Sequence, residues 1–505
     1  MKKLSAIICA SLMLLPTSAG AEYRSHSDTD VEVFDYIENR RREERDHQLT
    51  PEQTKLLEDI AAAKAQLPNP DLLTPDERAP AVFEGDDLVY HTETGEFIAQ
   101  GKVDIIQLDG RRFQTDKATG NVNDQIVNIQ GRAHMLQVVD GQPRVTLDGF
   151  RTTYNYGTSR GTMGSAKGKA GEYYITGKRF EFYPDHIVAF DATQTKCGAS
   201  RPDYHVSAKK MEIWPEQVIK MYKIKFWIKD TVVGTKDYDE KKFGETDHID
   251  FPRVGYNKDH GAYIEQRFKF PIADHFENVT QLHFETKHGV RSNTEVRYGN
   301  RDASARVVYG FYSDSDNVWI QKEPSLILHY GRHFDHLPAS YGFSYEIGHW
   351  RGNSVESTHQ KYEVGLARDP IVFKNWILTL GTSYTITKES SDNSTVNGIN
   401  YGTRLLKEFD DRSAAFVGYY YTKNNKKNSL FDFENDDYSK KITTGLSYRF
   451  DAKNRVVVGL NFDAERSNVQ DVDYYWYHDL HCSQLIMRYR ERRDKFEAHW
   501  QFTPW

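Results

Sequence analysis

Apolar and polar residues alternate with a period of two through most of the chain, and most regularly in its second half. Tyr341, Phe343, Tyr345 and Ile347 fall on one face of a strand, with Gly342, Ser344, Glu346 and Gly348 on the other. Ile442, Thr444, Leu446, Tyr448 and Phe450 oppose Thr443, Gly445, Ser447 and Arg449 in the same way. Val456, Val458, Leu460 and Phe462 oppose Val457, Gly459, Asn461 and Asp463. The second face is mostly small, polar or charged, which suits a wet lumen better than a packed core. Loop-like runs separate the strands at Glu389–Ser394 and Asn424–Asn428. With about 16–20 residues per strand and turn, Asp247 to Phe502 predicts an antiparallel transmembrane β-barrel of ~14–16 strands, an even count being the bacterial default. A soluble β-sandwich is the alternative. It would need one face of each sheet in a shared dry core, which so many successive strands disfavour.

Ahead of this region, Val82 to Lys229 carries shorter strands. Glu96–Ile106 reads as the beginning of a strand pair. Weak echoes follow at Gly131-Arg132-Ala133-His134-Met135 and Gly177-Lys178-Arg179-Phe180-Glu181-Phe182. Turn residues lie between them at Asp109-Gly110, Asn121-Val122-Asn123 and Asp140-Gly141. The glycine-marked echo favours a β-roll whose rungs bury one face on the next. A generic sandwich explains the alternation equally well.

The N-terminal stretch behaves differently. Met1-Lys2-Lys3, the apolar run to Leu15, and Ala19-Gly20-Ala21 form a secretory signal with cleavage expected after Ala21, taking Cys9 with it. From Glu22 to Ala81 the chain is charged, and Asn39–Arg45 reads as a solvated helix face. A second helix is predicted from Thr50, which can cap it, with Pro51 in its first position and Gln53 returning a bond to the cap. Leu56, Ile60, Ala63 and Leu67, with Leu57 beside them, give it an apolar side, and Pro68 and Pro70 end it. This stretch reads as an arm without its own core. The resulting division is signal peptide 1–21, arm 22–81, periplasmic β-domain 82–229 and barrel 230–505.

Composition adds three constraints. The 505 residues are 38% hydrophobic with a mean hydropathy of −0.71, and beyond the signal no apolar run reaches the length of a spanning helix. A barrel escapes that test, because its lumen-facing half is polar. The 31 Tyr and 27 Phe suit interfacial girdles, and a net charge of −7 argues against nucleic acid as a partner. Cys197 and Cys482, the pair left after Cys9, are a possible disulfide in an oxidising compartment, or two free buried thiols.

Three stretches then carry a resemblance. The first is Gly177-Lys178-Arg179 through Ala192-Thr193-Gln194-Thr195-Lys196-Cys197, with Tyr204-His205-Val206-Ser207-Ala208 after it. The second is Phe251-Pro252 followed by Lys258-Asp259-His260-Gly261-Ala262-Tyr263. The third is Asp479-Leu480-His481-Cys482 with Arg488-Tyr489-Arg490. In this order, ahead of a terminal strand in which Phe496, Ala498, Trp500 and Phe502 alternate with polar residues, they resemble the lipopolysaccharide-assembly outer-membrane protein family (LptD, also called OstA or organic solvent tolerance) in a short form. The resemblance implies an all-β protein with an OstA-like periplasmic β-roll and an outer-membrane barrel. Its implied role is to take lipopolysaccharide from a periplasmic OstA-like bridge protein and insert it into the outer leaflet. Insertion of the barrel by the barrel-assembly machinery is implied as well. Phe97, Ile105 and Phe182 are then candidates for the lipid groove, although each also suits the roll's own core. Pro252 and Pro271 are candidates for a weak lateral gate, because proline donates no ladder hydrogen bond. A Cys197–Cys482 disulfide would join the two β-regions. Family barrels are usually larger and hold a plug lipoprotein. In a narrower barrel that partner is doubtful, or the protein's own loops fill the lumen.

Other function classes find less support. The chain offers no convincing Gly-x-Ser-x-Gly, His-Glu-x-x-His or phosphate-loop motif, and so reads as neither an enzyme nor a cofactor protein. His248, His260, His275, His283 and His288 lack metal-ligand spacing and read as lumen or loop residues, with no metal expected. A diffusion porin or a purely structural barrel would leave the β-roll without a purpose.

Overall fold

The computed structural model describes residues 29–66, 81–139, 144–171, 173–214, 218–242, 252–300, 302–314, 318–352, 354–425, 428–434, 439–480 and 482–502. The signal peptide with Cys9, Leu67, Pro68, Pro70, Asp140-Gly141, His248, Phe251 and His481 lie outside these residues. The protein is nearly all β, and its chain divides into two compact units: residues 40–249, and residues 1–39 with 250–502.

The first unit is built on a 12-stranded antiparallel sheet in which strands mostly pair in chain order. Strand Glu96–Gln107 is single, and its halves pair with different partners. Phe97–Gln100 pairs with Asp87–Tyr90, and Asp104–Gln107 pairs with Ala81–Glu84. The break falls at Gly101 (φ +71°) and Lys102 (φ +46°), where pairing with the following strand also shifts between Gln100 and Val103. The echo positions behave alike. Pairing skips Gly131 between Ile129 and Arg132, and it skips Gly177 between Thr176 and Arg179 on the side of strand Ile187–Thr195. The glycines mark the line along which successive strands bend, and a bulge at each bend lets one sheet fold over its own apolar face. That face forms one core running from Phe97 and Val103 through Met135, Leu147 and Phe180 to Met221 and Ile224.

Two features of this unit differ from the sequence reading. Strand Thr231–Lys242, counted there with the barrel, pairs along Val218–Ile228 as the sheet's last strand. The helix from Thr50 is also not a free arm. Its capping box and Pro51 are as expected, but Leu56, Ile60 and Ala63 pack on Ile106, Leu108 and Leu136 of the sheet. Arg112 holds it there by pairing with Asp59 at 3.0 Å, while also bonding Asp104. Leu57 remains exposed.

The second unit is a closed antiparallel barrel of 16 strands, from Arg253–Asn257 to Lys495–Phe502. Leu282, Phe343, Leu366 and Leu446 stand exposed on its outer wall, whereas Thr443, Asn461, Asp473 and Arg490 are buried on the lumen side. Exposed Phe270, Tyr298, Phe373, Phe409 and Phe450 lie beside the turns at the end where the chain joins and leaves the barrel. At the opposite end lies the longest connection, residues 425–439. An apolar outer band, an aromatic girdle at one end and one long connection at the other are marks of an outer-membrane barrel.

Candidate functional site: sheet interior, barrel lumen and barrel seam

The sheet's interior is apolar and closely packed. Phe97, Ile105 and Phe182 are each about 3% exposed and belong to the single apolar core, so the structure brings the three groove candidates together inside a packed space. Phe83 covers this end of the core, edge-on to Phe97 and Tyr156. A polar group closes the layer. Gln107 donates to the Tyr156 carbonyl at 2.9 Å and accepts from the Tyr154 hydroxyl at 2.9 Å, while Arg111 bonds Gln137 at 3.1 Å. Burial pushes the Tyr154 hydroxyl up to about 12 and raises the Asp109 carboxyl against the pull of Arg111. The sheet's edges are less guarded. Strand Asp87–Tyr90 leaves Leu88, Val89 and Tyr90 about half exposed, and Val233 is exposed on the last strand. An uncovered edge is a template for another strand.

The barrel lumen is neither empty nor apolar throughout. Residues 29–39 line its wall, with Val33 opening helix α1 (Val33–His47). Val31, Val33, Phe34 and Ile37 are buried against Phe416, Val457, Tyr477 and Ile486. Each such burial contributes about 1.5–3 kcal/mol. Charge fixes the register. Asp35 pairs with Arg455, Glu38 with Arg449 at 2.6 Å, and Asp30 accepts from Thr443 at 3.3 Å. The wall makes room by lacking side chains. A Cβ on Gly459 would stand 2.5 Å from Val31 Cγ1, and one on Gly445 would stand 3.0 Å from Phe34. Sequence reasoning saw those glycines as a small lumen face but did not pair them with Val31 and Phe34.

A second element occupies the lumen near the outer end. Phe431 and Phe433, from the long connection, pack on Trp350 and Ile320. Glu434 then accepts from Lys361 at 2.9 Å and from Thr387 at 3.2 Å. Trp350 stacks on His359 at 3.6 Å, His359 bonds Glu389 at 2.6 Å, and Lys322 bonds Glu346 at 2.6 Å. Nearly every charge in this layer is buried and paired, so the loop is held by ion pairs as well as by two aromatic rings.

The seam between first and last strands is short. The first strand has 5 residues, whereas Val355–Phe373 has 19. Across the seam Val254, Gly255, Tyr256 and Asn257 pair with Trp500, His499, Ala498 and Glu497. Gln501 and Phe502 continue only along Gln484 and Ser483. Among the described residues the ladder therefore stops as the first strand reaches Pro252, which has no N–H to offer. Pro271 lies one strand further on, opposite Glu277 at a register shift, and is not part of the seam. Side chains clamp the outer end: Asn257 donates to Glu497 at 3.1 Å, Lys258 pairs with Asp494 at 2.7 Å, and Lys495 pairs with Asp259 at 2.6 Å.

Cys197 and Cys482 are both buried and both disulfide-bonded, which excludes two free thiols. Cys482 lies in the turn before Ser483–Arg490, at the end where the chain joins and leaves the barrel.

No protein-family model matches the chain, and no curated protein does. Among solved structures, it is similar over 21% of its length to LptH, the LptA-homologous periplasmic component of the lipopolysaccharide transport device of Pseudomonas aeruginosa, covering 78% of that chain at 17% identity with a TM-score of 0.20. A bacterial polysaccharide outer-membrane secretin is similar over 50% of this chain and 97% of its own, at 10% identity and a TM-score of 0.32. A mutant Rh. blastica porin is similar over 49% and 96%, at 11% identity and a TM-score of 0.28.

Proposed function

We propose that the protein is an outer-membrane translocon that receives lipopolysaccharide from a periplasmic OstA-like bridge protein and releases it into the outer leaflet. The observation that carries this reading is one apolar interior extending through the whole periplasmic sheet, from Phe97 to Ile224, in the same chain as a barrel that closes on a strand of 5 residues. Acyl chains in water cost ~0.8 kcal/mol per CH₂, so a lipid carrier must offer a continuous apolar path. Parting of the folded sheet along its bend would expose that path at Phe97, Ile105 and Phe182. The half-exposed edge Asp87–Tyr90 would accept a strand of the bridge protein. Parting of the seam above Pro252 would let acyl chains leave sideways while the saccharide stays in the lumen. A Cys197–Cys482 disulfide would hold the sheet to the barrel's periplasmic rim.

Residues 29–39 and the Phe431–Glu434 loop take the place that a plug lipoprotein would fill, so the proposed translocon works without one. The same two elements weigh against a diffusion porin, which requires an open lumen. The remaining rival is a structural barrel with a dry β-domain. Photocrosslinking in cells from probes at Phe97, Ile105 and Phe182, followed by blotting for lipopolysaccharide, separates the two. Adducts that disappear when upstream export is depleted are the expected result. An assembled barrel with no adduct at any of the three positions would defeat the proposal.

A further inference from the structure

The outer end of the barrel carries a cluster that neither the lipid path nor the seam uses. His260 ends the turn after the first strand, Glu285 ends strand Phe276–Glu285, and His288 sits in the turn that follows it. His260 Nδ1 and His288 Nδ1 converge on the same oxygen, Glu285 Oε2, at 2.8 and 3.0 Å. One ligand atom from each of the three residues lies within 4.8 Å of the others. His260 and Glu285 are buried, His288 faces outward, and His260 Nε2 is buried without a hydrogen-bond partner.

The surroundings fix the carboxylate. His283 Nε2 meets Glu285 Oε1 at 2.9 Å, and its Nδ1 lies 3.4 Å from Glu265 Oε2, so a second acid holds the ring that holds Glu285. Such outer partners orient metal-binding groups. Trp319 walls the cluster, lying 5.8 Å from His260 and 5.6 Å from His283 between ring centroids. The opposing charge is Arg291, 3.9 Å from Glu285 Oε2, with its guanidinium turned over the Trp319 ring at 4.7 Å.

We propose that His260, Glu285 and His288 form a binding site for a divalent transition-metal ion of the zinc class. Two imidazoles and one carboxylate, with a fourth position open to water beside exposed His288, are a zinc ligand set. Tetrahedral donors ~2.0–2.1 Å from zinc stand about 3.3 Å apart, so the two short N···O separations need to widen by only a few tenths of an ångström. The ion would link the turn after the first barrel strand to the turn after the third. Because the first strand is one side of the seam, the ion would stiffen the hairpin that must move if the seam opens. The site itself does not depend on the lipid-transport reading.

The test uses the full chain in detergent micelles, stripped with chelator and dialysed against micromolar zinc, with bound metal counted by mass spectrometry. One zinc per chain is expected, and cobalt in its place should give the intense visible bands of a tetrahedral N/O site. His260→Gln and His288→Gln should each weaken zinc at least tenfold. His333→Gln, at an exposed ion pair with Asp369 near the opposite end, should leave it unchanged. Heat-modifiable gel mobility reports whether each variant has folded. If His260→Gln fails to fold, the more exposed His288→Gln decides. Failure of the folded parent to retain zinc, or full retention by folded His288→Gln, would overturn the proposal.

Discussion

The two units have opposite interiors built from the same alternation. In the 12-stranded sheet the buried face is apolar along its length, and the polar groups Gln107 and Arg111 at its margin are tied to Tyr154, Tyr156 and Gln137. In the barrel the apolar face points outward and the buried face holds Arg455, Asp473 and Arg490, with a short apolar patch where residues 31–37 lie. A period of two says that a strand has two faces. What each face meets depends on the medium outside, water for the sheet and lipid for the barrel. A charge is therefore tolerated inside the barrel at positions where the sheet would reject it.

The strongest way to break this comparison is to place a charge inside the sheet. Phe180→Asp at a fully buried position should lose about 3–5 kcal/mol from the missing ring and several more from the buried carboxylate. Limited proteolysis should then cut within 81–242 while heat-modifiable mobility of the barrel persists. Survival of an intact sheet would mean that its interior is wetter than its packing implies. A smaller effect is expected from removing a charge inside the barrel. Asp35→Ala leaves buried Arg455 without this carboxylate, and because Asp35 is itself half exposed the cost to the seating of residues 29–39 should be ~1–3 kcal/mol. Single-channel recording should show conductance rising as the segment leaves. An unchanged conductance would show that Phe34 and its neighbours hold the segment unaided. The smallest effect belongs to the seam's exposed clamps. Lys258→Ala and Lys495→Ala should each leave the barrel's heat-modifiable mobility almost unchanged, because solvent screens both pairs. Disulfide trapping of cysteines placed at Val254 and Trp500 should report slightly more frequent parting, and a large increase would mean that the clamps rather than the ladder close the barrel.

Some of this was legible in local sequence and some was not. The capping box at Thr50 involves residues three apart and formed as read. The lumen and lipid faces of Tyr341–Gly348 and Ile442–Arg449 also followed from spacing. The bend line was visible as repeated glycines, although Glu96–Gln107 proved to be one strand whose two halves have separate partners. Residues 31–37 were misread, because a few apolar residues before a charge run look like any solvated helix. Their partners, Gly445 and Gly459, lie more than 400 positions away. The histidines were set aside because His260 and His288 come from different turns, and only the pairing of strand 261–273 with strand 276–285 sets them on one carboxylate.

The sequence by itself determined that this is a chain of β-strands with two kinds of interior and where most turns fall. Those properties are written in neighbouring residues, through side-chain period, backbone preference and capping. The tertiary structure alone decided that the barrel has 16 strands, that its own N-terminal segment fills part of its lumen, and that the first strand is too short to continue the seam ladder to Phe502. Each of these depends on contacts between residues far apart in the chain, whose free energy exists only once the strands between them have closed into a barrel.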